Sequence, residues 1–408
     1  MKLLIAIPAL NEEHAIENII ARSLEARAYI MAHSPVSEVE ITVVSDGSTD
    51  RTVELSRKYI PRIKLIVFPV NRGYGAAIKE AWRQSDADVV GFLDADGTCD
   101  PKFFADLCST LVQEDADVAL GCRLNKNSQM PAIRRVGNVI FATLLTVFSS
   151  SHVKDTASGM RVVRRSSLKN LFPLPDGLHF TPAMSARALL SDVVKIVEID
   201  MPYKERVGES KLRVGKDGLR FLRVIVEAAF LYRPARPFAI AASVLFLIAI
   251  ALMASPALFY WQNHRVEEWM IYRFLVSALA GTTAFLCCSA SYLTGRITQI
   301  ALAEEVAGHG HSLLSRFFTS RGFWLVPGGL TLIGGALVVG SLLQLLQTGA
   351  TYEHWSRFVV MSFCFSAAFI LAVTRAMDFV LSLVGTRTQY WKEEMPRATA
   401  AAAGRAIA

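Results

Sequence analysis

Residues 89–96 read Val-Val-Gly-Phe-Leu-Asp-Ala-Asp, an apolar run that ends in two aspartates. A short apolar run bounded in this way is typical of a buried β-strand. The earlier apolar runs 3–7 and 41–44 also lead into polar segments, which contain Asn, Asp and Gly. In open α/β sheets, ligands bind at the carboxyl ends of the strands. The sequence therefore predicts a ligand-binding site where these three strands end.

Strand and helix patterns alternate through residues 1–203, where charged residues occur throughout. The predicted strands are 3–7, 41–44, 63–68 and 89–93, and the predicted helices are 12–27, 50–59 and 76–83. Asn11 is the expected N-cap of the first helix, because an Asn side chain accepts a hydrogen bond from an early helical N–H. Alternation of this kind implies a mostly parallel sheet with helices on both faces, so we expect an α/β domain here.

The chain of 408 residues is 52% hydrophobic, and its longest apolar stretches lie after residue 237. Four of these stretches contain no charged residue: 238–261, 274–293, 323–347 and 358–374. Each is roughly 17 to 25 residues long, which matches the length that a helix needs to cross a bilayer. Buried helices of a large soluble protein rarely give several such stretches. The sequence therefore predicts a second, all-α domain of four transmembrane helices.

The distribution of charge predicts the orientation of these helices. The segment 204–236 holds nine Lys and Arg against four acids, whereas the loops 262–270 and 348–357 contain few basic residues. Basic residues concentrate on the cytoplasmic side of membrane proteins, so both loops are expected outside. The apolar run 3–7 is too short for the core of a secretory signal peptide and is better interpreted as a strand.

The expected organisation is that of a multi-pass protein of the cell membrane. A cytoplasmic domain over 1–203 is followed by a basic amphipathic juxtamembrane segment over 204–236. Four helices in two hairpins then occupy 237–385, and 386–408 form a cytoplasmic tail. The six cysteines lack the spacing of a disulfide framework or a zinc site, which agrees with a reducing compartment.

The two aspartates after the fourth predicted strand are candidates for a metal site. Asp94 and Asp96 are two residues apart, so their carboxylates can point to the same side of the sheet. Hard oxygen ligands suit Mg²⁺ or Mn²⁺, which use one or two carboxylates and let phosphates fill the remaining positions. An Asp-Ala-Asp-Gly sequence also makes an ordinary turn. Similarly, Asp46 is a candidate ligand for a base or ribose, with a plain Asx-turn as the alternative.

The polar segments resemble, in their order, the motifs of the family 2 glycosyltransferases. The motifs are Pro8-Ala9-Leu10-Asn11-Glu12-Glu13, Ser45-Asp46-Gly47-Ser48, Asn71-Arg72-Gly73-Tyr74-Gly75 and Asp94-Ala95-Asp96. The resemblance implies a GT-A domain that binds a nucleotide sugar, with GDP or UDP as the nucleotide. It implies that the donor is bound by Pro8, Ala9, Asn11, Glu12, Asp46, Gly73 and Asp94. It also implies that Asp94 and Asp96 are the DxD metal ligands, while Thr98 stands where related lipid-sugar synthases often have Gln.

Basic residues beside small residues indicate the acceptor. They occur in Gly121-Cys122-Arg123, Ser158-Gly159-Met160-Arg161 and Arg206-Val207-Gly208-Glu209-Ser210-Lys211. Arginine binds phosphate bidentately, and lysine acts as a point charge. Over about residues 1–235 these segments resemble polyprenyl-phosphate glycosyltransferases of the dolichol-phosphate mannose synthase group. The resemblance implies that a dolichyl or undecaprenyl phosphate is held by Arg123, Arg134, Arg161, Arg206 and Lys211. Arg123 joins Asp94 and Asp96 as a candidate catalytic residue.

Two segments have the pattern of interfacial helices. In 218–232 the apolar residues repeat at helical spacing, namely Leu219, Leu222, Val226 and Phe230. Arg220, Arg223 and Glu227 fall on the other sides of this predicted helix. The segment 139–148 is apolar but too short to span a bilayer, and packing against the domain core is its alternative explanation. Such helices lie at a membrane surface, where a lipid acceptor is present.

The resulting hypothesis is a metal-dependent, inverting transfer of a single sugar from a nucleotide sugar to a membrane polyprenyl phosphate. Because a lipid phosphate is already anionic, its attack on the anomeric carbon needs little help from a general base. His179 is therefore interpreted as structural or substrate-shaping. A processive polysaccharide synthase is an alternative, although the Gln-x-x-Arg-Trp motif of such enzymes is absent. A non-catalytic membrane transporter or scaffold is another. Nucleic acid is not an expected partner.

Overall fold

The computed structural model describes residues 1–125, 128, 130–149, 151–203, 214–301, 313–351 and 353–407. The chain forms two compact units, Met1–Tyr232 and Arg233–Ala408. The division falls inside the predicted juxtamembrane segment 204–236, because the helix that ends at Tyr232 packs onto the first unit.

Within the described residues, the first unit contains one sheet of seven strands. They are β1 (Lys2–Ala9), β2 (Glu38–Asp46), β3 (Lys64–Phe68), β4 (Val89–Leu93), β5 (Val118–Cys122), β6 (Met160–Arg164) and β7 (Ile196–Asp200). Their order is β3-β2-β1-β4-β6-β5-β7. Every pair of neighbours is parallel except the two pairs that involve β6, which is antiparallel to both β4 and β5. The predicted mostly parallel sheet and its first four strands are confirmed.

The register brings the ends of three strands to one edge of the sheet. Ile5 of β1 pairs with Ile41 of β2 and with Gly91 of β4. Ala9 then lies beside Ser45, and the segment that contains Asp94 follows β4 on the other side. This arrangement is the one that positions the candidate site, because parallel neighbours present their carboxyl ends together.

Helices cover both faces of the sheet. Those of the first unit are α1 (Ile16–His33), α2 (Thr52–Arg57), α3 (Tyr74–Arg83), α4 (Phe104–Gln113), α5 (Ala132–Phe148), α6 (Leu168–Leu171), α7 (Phe180–Leu190) and α8 (Val214–Tyr232). Successive residues of a strand face opposite sides. Leu3 and Ile5 of β1 thus join a core with α1 and α4, whereas Leu4 joins a second core with α3 and α7. Burial on both faces explains the nearly continuous apolar runs of these strands.

The prediction that Asn11 is the N-cap of the first helix is wrong. Helix α1 begins at Ile16, with Ala15 at the N-cap position. Asn11 instead has a φ of 51°, in the left-handed region that Asn tolerates better than most residues. Its Oδ1 accepts a hydrogen bond from the backbone N–H of Thr49 at 2.8 Å. Asn11 therefore ties the loop after β1 to the loop after β2.

The second unit is helical. Its helices are α9 (Ala235–Asn263), α10 (Ile271–Ala301), α11 (Leu313–Thr319), α12 (Leu325–Thr348) and α13 (Trp355–Ile407). In the described part of the chain, four helices are long and apolar enough to cross a membrane, over Ala235–Asn263, Glu268–Ile300, Leu325–Thr348 and Trp355–Thr388. The prediction of four such helices is confirmed.

The fourth of these helices extends beyond its predicted end at residue 374, and α13 also runs through the predicted boundary between residues 385 and 386. Charged residues that follow position 374 are paired inside the unit. The buried carboxylate of Asp378 accepts hydrogen bonds from Nη1 of Arg375, at 2.8 Å, and from Nε of Arg296 on α10, at 3.2 Å. Pairing reduces the cost of placing these charges in an apolar environment, which lets the helix continue.

Candidate active site

A cleft of about 500 Å³ opens in the first unit where β1, β2 and β4 end. Of the residues predicted to bind the donor, all except Asn11 line this cleft: Pro8, Ala9, Glu12, Asp46, Gly73 and Asp94. The predicted metal ligand Asp96 lines it as well. Basic and apolar residues of α5 and α8 line the opposite wall, among them Ile133, Arg134, Arg220 and Phe221. The cleft is therefore acidic at the strand ends and basic and apolar at the helices.

Asp46 holds the glycine-containing loop between β3 and α3. Its Oδ1 accepts the backbone N–H of Arg72 at 2.6 Å, and its Oδ2 accepts that of Gly73 at 2.9 Å. Gly47 has a φ of 73°, and a Cβ there would lie 2.4 Å from the backbone nitrogen of Asn71, so only glycine fits. Each carboxylate oxygen retains lone pairs for a ligand. Asp46 thus shapes this side of the cleft whether or not it also contacts the nucleotide.

The carboxylate of Asp94 is held from two sides. The hydroxyl of Tyr74, the first residue of α3, donates to Oδ1 at 2.6 Å. Burial and the charge of Asp94 raise the pKa of Tyr74 well above its ordinary value, so the phenol stays protonated as a donor. On the other side, a Cβ at Gly159 would lie only 1.9 Å from Oδ2. Sequence reasoning missed Tyr74, although it stands inside the Asn71–Gly75 motif, because the motif was interpreted through its glycines.

Asp96 is supported by its own loop. Its Oδ1 accepts hydrogen bonds from the hydroxyl of Thr98 at 2.8 Å and from the backbone N–H of Thr98 at 3.2 Å. Arg22 of α1 donates to the carbonyl oxygens of Gly97 and Cys99 at 3.2 and 3.0 Å, which holds the loop against the domain. Thr98 therefore orients the carboxylate of Asp96 through these two hydrogen bonds.

Asp94 and Asp96 fit the donor set of a nucleotide-associated Mg²⁺ or Mn²⁺. Both side chains line the cleft, and each offers hard carboxylate oxygens. The part of the chain that the structure describes contains no group of three or more His, Cys, Asp and Glu side chains able to hold a metal by itself. Magnesium commonly takes one or two protein carboxylates and completes its octahedron with phosphate and water.

Arg123 lines the cleft but is strongly engaged with Asp155. Its Nε and Nη2 donate to the two carboxylate oxygens at 2.7 and 2.8 Å. Burial alone would raise the pKa of Asp155, yet the charge and hydrogen bonds of Arg123 hold that pKa below its ordinary value. Asn138 of α5 donates to the same carboxylate at 2.5 Å. This buried pair fixes α5 to the segment after β5 and presents one edge of the guanidinium to the cleft.

The expectation that Arg161 contacts a lipid phosphate does not hold in this structure. Arg161 has 0% exposed surface, and its nitrogens donate to the carbonyls of Thr156 and Ser158 and to the hydroxyl of Ser185. Burial lowers its pKa to about 10. Because residues alternate along β6, the side chain of Arg161 faces the interior between the strand and α7. It stabilises the loop that contains Gly159 and does not line the cleft.

The remaining predicted acceptor residues have different positions. Arg134, in the first turn of α5, is half-buried and lines the cleft. Arg206 and Lys211 lie outside the described residues. Arg220 also lines the cleft, although the sequence placed it on the polar side of its helix. The neighbouring Arg223 points away, is 79% exposed and pairs with Glu227.

Helices α5 and α8 each expose an apolar face. On α8 the predicted stripe of Leu219, Leu222, Val226 and Phe230 is exposed, with Leu219 at 70%. The opposite face buries Phe221, Ile225 and Ala229. On α5, Ile133, Val136, Val139 and Ile140 are exposed while Ala142 and Leu145 are buried. Contiguous exposed apolar faces of this kind mark a surface that meets a partner or a membrane.

His179 stands just before α7 and is partly buried. Burial lowers its pKa, and the charge of Arg220 lowers it further. Its neighbours Gly177, Leu178 and Thr181 line the cleft. The histidine therefore lies behind the wall that these three residues form.

Residues 4–172 match the family Glycosyl transferase family 2. A dolichyl-phosphate hexose transferase of Haloferax volcanii is 32% identical over 217 residues, which are 52% of this chain and 86% of that protein. The low-salt glycan biosynthesis hexosyltransferase Agl6 of the same organism is 31% identical over 228 residues, 55% of this chain and 53% of its own length. This chain thus spans about half of Agl6.

Among solved structures, glucosyl-3-phosphoglycerate synthase from Mycobacterium tuberculosis, in complex with Mn²⁺, UDP and glucosyl-3-phosphoglycerate, gives a TM-score of 0.44. The match has 19% sequence identity and covers 56% of this chain and 80% of that protein. The sheet described above has the mixed GT-A-like arrangement with helices on both faces. Since the hexose transferase is 32% identical and nearly all of it is covered, the chain belongs to glycosyltransferase family 2.

Proposed function

We propose that this protein transfers a single sugar from a nucleotide sugar, with GDP or UDP as the nucleotide, to a membrane polyprenyl phosphate. The observation that carries the proposal is the composition of one cleft. The carboxylates of Asp94 and Asp96 line one wall, and Arg134 lines the other beside the exposed apolar faces of α5 and α8. Such a cleft suits a donor that carries a diphosphate and an acceptor that joins a phosphate to a hydrocarbon chain.

The donor side supplies fixed polar groups. Pro8 and Ala9 at the end of β1, with Glu12 and Asp46, would contact the nucleotide, and the backbone around Gly73 would approach the diphosphate. A divalent cation, Mg²⁺ or Mn²⁺, held by Asp94 and Asp96 would offset the negative charge of the leaving nucleoside diphosphate. Tyr74 and Thr98 orient these two carboxylates before any ligand arrives. Preorganisation of this kind favours the transition state, because no reorientation is needed as charge develops.

The acceptor side supplies positive charge and an apolar surface. An oxygen of the lipid phosphate attacks the anomeric carbon and forms the new C–O bond, while the C–O bond to the nucleoside diphosphate breaks and its electron pair leaves with that group. The attacking oxygen is already anionic, so no side chain needs to remove a proton. Attack from the face opposite the leaving group inverts the configuration. The chain contributes mainly by holding the two substrates in line.

We further propose that the first unit and both chain ends face the cytoplasm. The supporting observation is the excess of basic residues in 204–236 over the short loops 262–270 and 348–357. Single cysteines introduced at positions 267 and 316 of a cysteine-free protein test this orientation. A membrane-impermeant thiol reagent should label position 267 in intact cells and position 316 only after the membrane is opened. The reverse pattern would contradict the orientation.

The activity is tested by incubating the purified full chain with a panel of nucleotide sugars and short polyprenyl phosphates, with Mg²⁺ or Mn²⁺ present. Mass spectrometry of the extracted lipid should show the addition of one sugar. A matched polyprenyl alcohol should not react, because it lacks the anionic oxygen. A ladder of products with several sugars would favour a polysaccharide synthase. No product with any donor would contradict the proposal.

A further inference from the structure

Two arginines from different helices reach the acceptor wall of the cleft. Arg134 is in the first turn of α5, and Arg220 is in the second turn of α8. The two helices pack against each other through Phe141 and Phe221, whose ring centroids are 5.8 Å apart in an edge-to-face arrangement. This packing holds the N-terminal parts of both helices at the same cleft.

The position of Arg220 is set by an acid of its own helix. Asp217, three residues earlier, is buried and accepts a hydrogen bond from Nη1 of Arg220 at 3.1 Å. The side chain of Arg220 is nevertheless 49% exposed. A guanidinium carries five N–H groups, so one such contact orients the side chain and leaves donors that can reach a ligand. The ion pair therefore orients Arg220 at the cleft and leaves N–H groups of the guanidinium available to a ligand.

The other predicted arginines of this wall are less suited to the phosphate. Arg161 is fully buried, and Arg123 uses two of its nitrogens on Asp155. Among the residues that the structure describes, Arg134 and Arg220 are the cleft-lining bases without such a bidentate carboxylate partner. Their negative counterparts across the cleft, Asp94 and Asp96, are on the donor wall.

The surroundings of Arg220 match an amphipathic ligand. Its helix neighbours Leu219 and Leu222 are exposed, and Phe221 lines the cleft between α5 and α8. A phosphate bound at Arg220 would thus have an apolar surface next to it for a hydrocarbon chain. A soluble phosphate compound would gain nothing from this surface.

We propose that Arg220, together with Arg134, binds the phosphate of the lipid acceptor. The inference rests on the proposed function and assigns to its acceptor site a residue that the sequence pattern had placed only outside the apolar stripe of its helix. The donor diphosphate is the other source of the same chemistry in this cleft, and the two sources predict different kinetic changes. Loss of a charge-assisted contact to phosphate should weaken the affected substrate about tenfold to a hundredfold.

The test uses the full chain in detergent, with Arg220→Gln and Arg134→Gln and with Arg223→Gln as the matched control. Arg223 lies on the same helix, but it is exposed and pairs with Glu227. KM is measured separately for a short isoprenyl phosphate and for the nucleotide sugar. Binding of the isoprenyl phosphate and of the corresponding alcohol is measured at equilibrium without donor. Thermal unfolding of each variant reports whether it folds.

We expect Arg220→Gln to raise KM and Kd for the isoprenyl phosphate at least tenfold, with less than a twofold change for the alcohol and for the nucleotide sugar. Arg220→Lys keeps the charge and the pair with Asp217, so it should recover part of the binding even if the Gln variant folds poorly. Arg223→Gln should behave as the unmodified chain does.

Equal effects of Arg220→Gln and Arg223→Gln would overturn the inference, and so would an increase confined to KM of the nucleotide sugar. In both cases continued transfer to isoprenyl phosphate by the unmodified chain would leave the proposed function standing. Absence of transfer and binding in the unmodified chain would instead reject the proposed function, and the inference with it.

Discussion

The proposed donor wall of the cleft, which contains Asp46, Asp94 and Asp96, and the proposed acceptor wall, which contains Arg134 and Arg220, are built in different ways. On the donor wall, Asp46 and Asp94 follow strand ends of a sheet buried on both faces, and neighbouring groups hold both carboxylates within the cleft. On the acceptor wall, the polar groups lie on α5 and α8, which also expose apolar faces. A rigid wall suits a polar donor whose phosphates must be placed accurately. A helical wall with an apolar outer face suits a ligand that arrives from a membrane.

Because of this difference, the aspartates at strand ends and the arginines have to be interpreted differently. An aspartate at a strand end in this fold is directed to the cleft, so its position nearly specifies its role. The arginines of the same unit differ in their surroundings: Arg161 is fully buried, Arg123 lines the cleft but pairs with Asp155, and Arg134 and Arg220 line the cleft without a bidentate carboxylate partner among the described residues. The following predictions test this contrast, in order of decreasing expected effect.

The largest expected effect is on the donor wall, at Asp96. Asp96→Ala should lower kcat by about a thousandfold, because it removes a carboxylate that we propose to bind the metal ion of the donor diphosphate. The variant should retain the thermal unfolding midpoint and the membrane insertion of the unmodified chain. Asp106→Ala, at an exposed position on α4, is the matched control and should remain active. Near-normal turnover of Asp96→Ala with saturating Mn²⁺ would contradict the metal-ligand role.

The next effect concerns stability on the acceptor wall. Arg123→Met should lower the free energy of unfolding by about 3–5 kcal/mol, because it leaves Asp155 buried without its partner. Arg51→Met breaks the exposed pair with Glu54 and should change the midpoint of denaturation little. Denaturant unfolding of the first unit within the full chain, monitored by tryptophan fluorescence, compares the stabilities of the two variants. Equal midpoints would show that the pair is not a structural support.

The same pair predicts a dependence on acid. The folded-state pKa of Asp155 is below its ordinary value of 3.8, so its contribution is complete above that pH. It is lost as the pH falls through the lower folded-state pKa. Arg123→Met should therefore lose less stability than the unmodified chain over this acidic range.

Gly159→Ala tests how tightly the carboxylate of Asp94 is held in its position. The added Cβ would lie 1.9 Å from Oδ2, so the carboxylate or the loop must move. We expect kcat/KM to fall about a hundredfold, since displacing a catalytic group by about 1 Å is enough for such a loss. Gly215→Ala on α8 is the control, because a Cβ there meets nothing within 4 Å. Comparable activities of the two variants would contradict the conclusion that the space at Gly159 fixes the position of Asp94.

The smallest effect is expected at Tyr74. Tyr74→Phe removes one hydrogen bond to Asp94 and leaves the aromatic packing with Phe92 and Phe180 in place. We expect about a tenfold loss in kcat/KM for the nucleotide sugar and no change in KM for the lipid phosphate. Tyr29→Phe, at a partly exposed position on α1, serves as the control. A change confined to the KM for the lipid phosphate would contradict the prediction that Tyr74 supports the donor side of the cleft.

Local patterns were sufficient for the elements and for the donor wall. The apolar runs 3–7, 41–44, 63–68 and 89–93 became strands, since burial on both faces requires such runs. The four membrane-length helices followed from length and the absence of charge. In a parallel sheet, strand ends meet at one edge, so Asp46, Asp94 and Asp96 could be placed together without any knowledge of side-chain packing.

Non-local contacts explain where prediction from the sequence was incomplete or wrong. Asn11 bonds to Thr49 and does not cap α1, and β6 inserts antiparallel between β4 and β5. The last helix continues beyond the uncharged stretch 358–374, where Arg375 and Asp378 pair with each other and Asp378 also pairs with Arg296 of another helix. None of these partners is close in sequence, and no spacing rule connects them.

Periodicity, length and motifs at strand ends were sufficient to predict the family resemblance, the two-part architecture and the group of carboxylates at the cleft. The surroundings of each arginine and the support of Asp94 by Tyr74 and Gly159 depend on contacts between distant parts of the chain, which the folded structure reveals. This dependence arises because burial and neighbouring partners determine whether a charged side chain can reach a ligand. Burial and hydrogen-bond partners enclose Arg161 completely and Asp155 engages Arg123, whereas Arg220 is 49% exposed at the cleft, where we propose that it binds a phosphate.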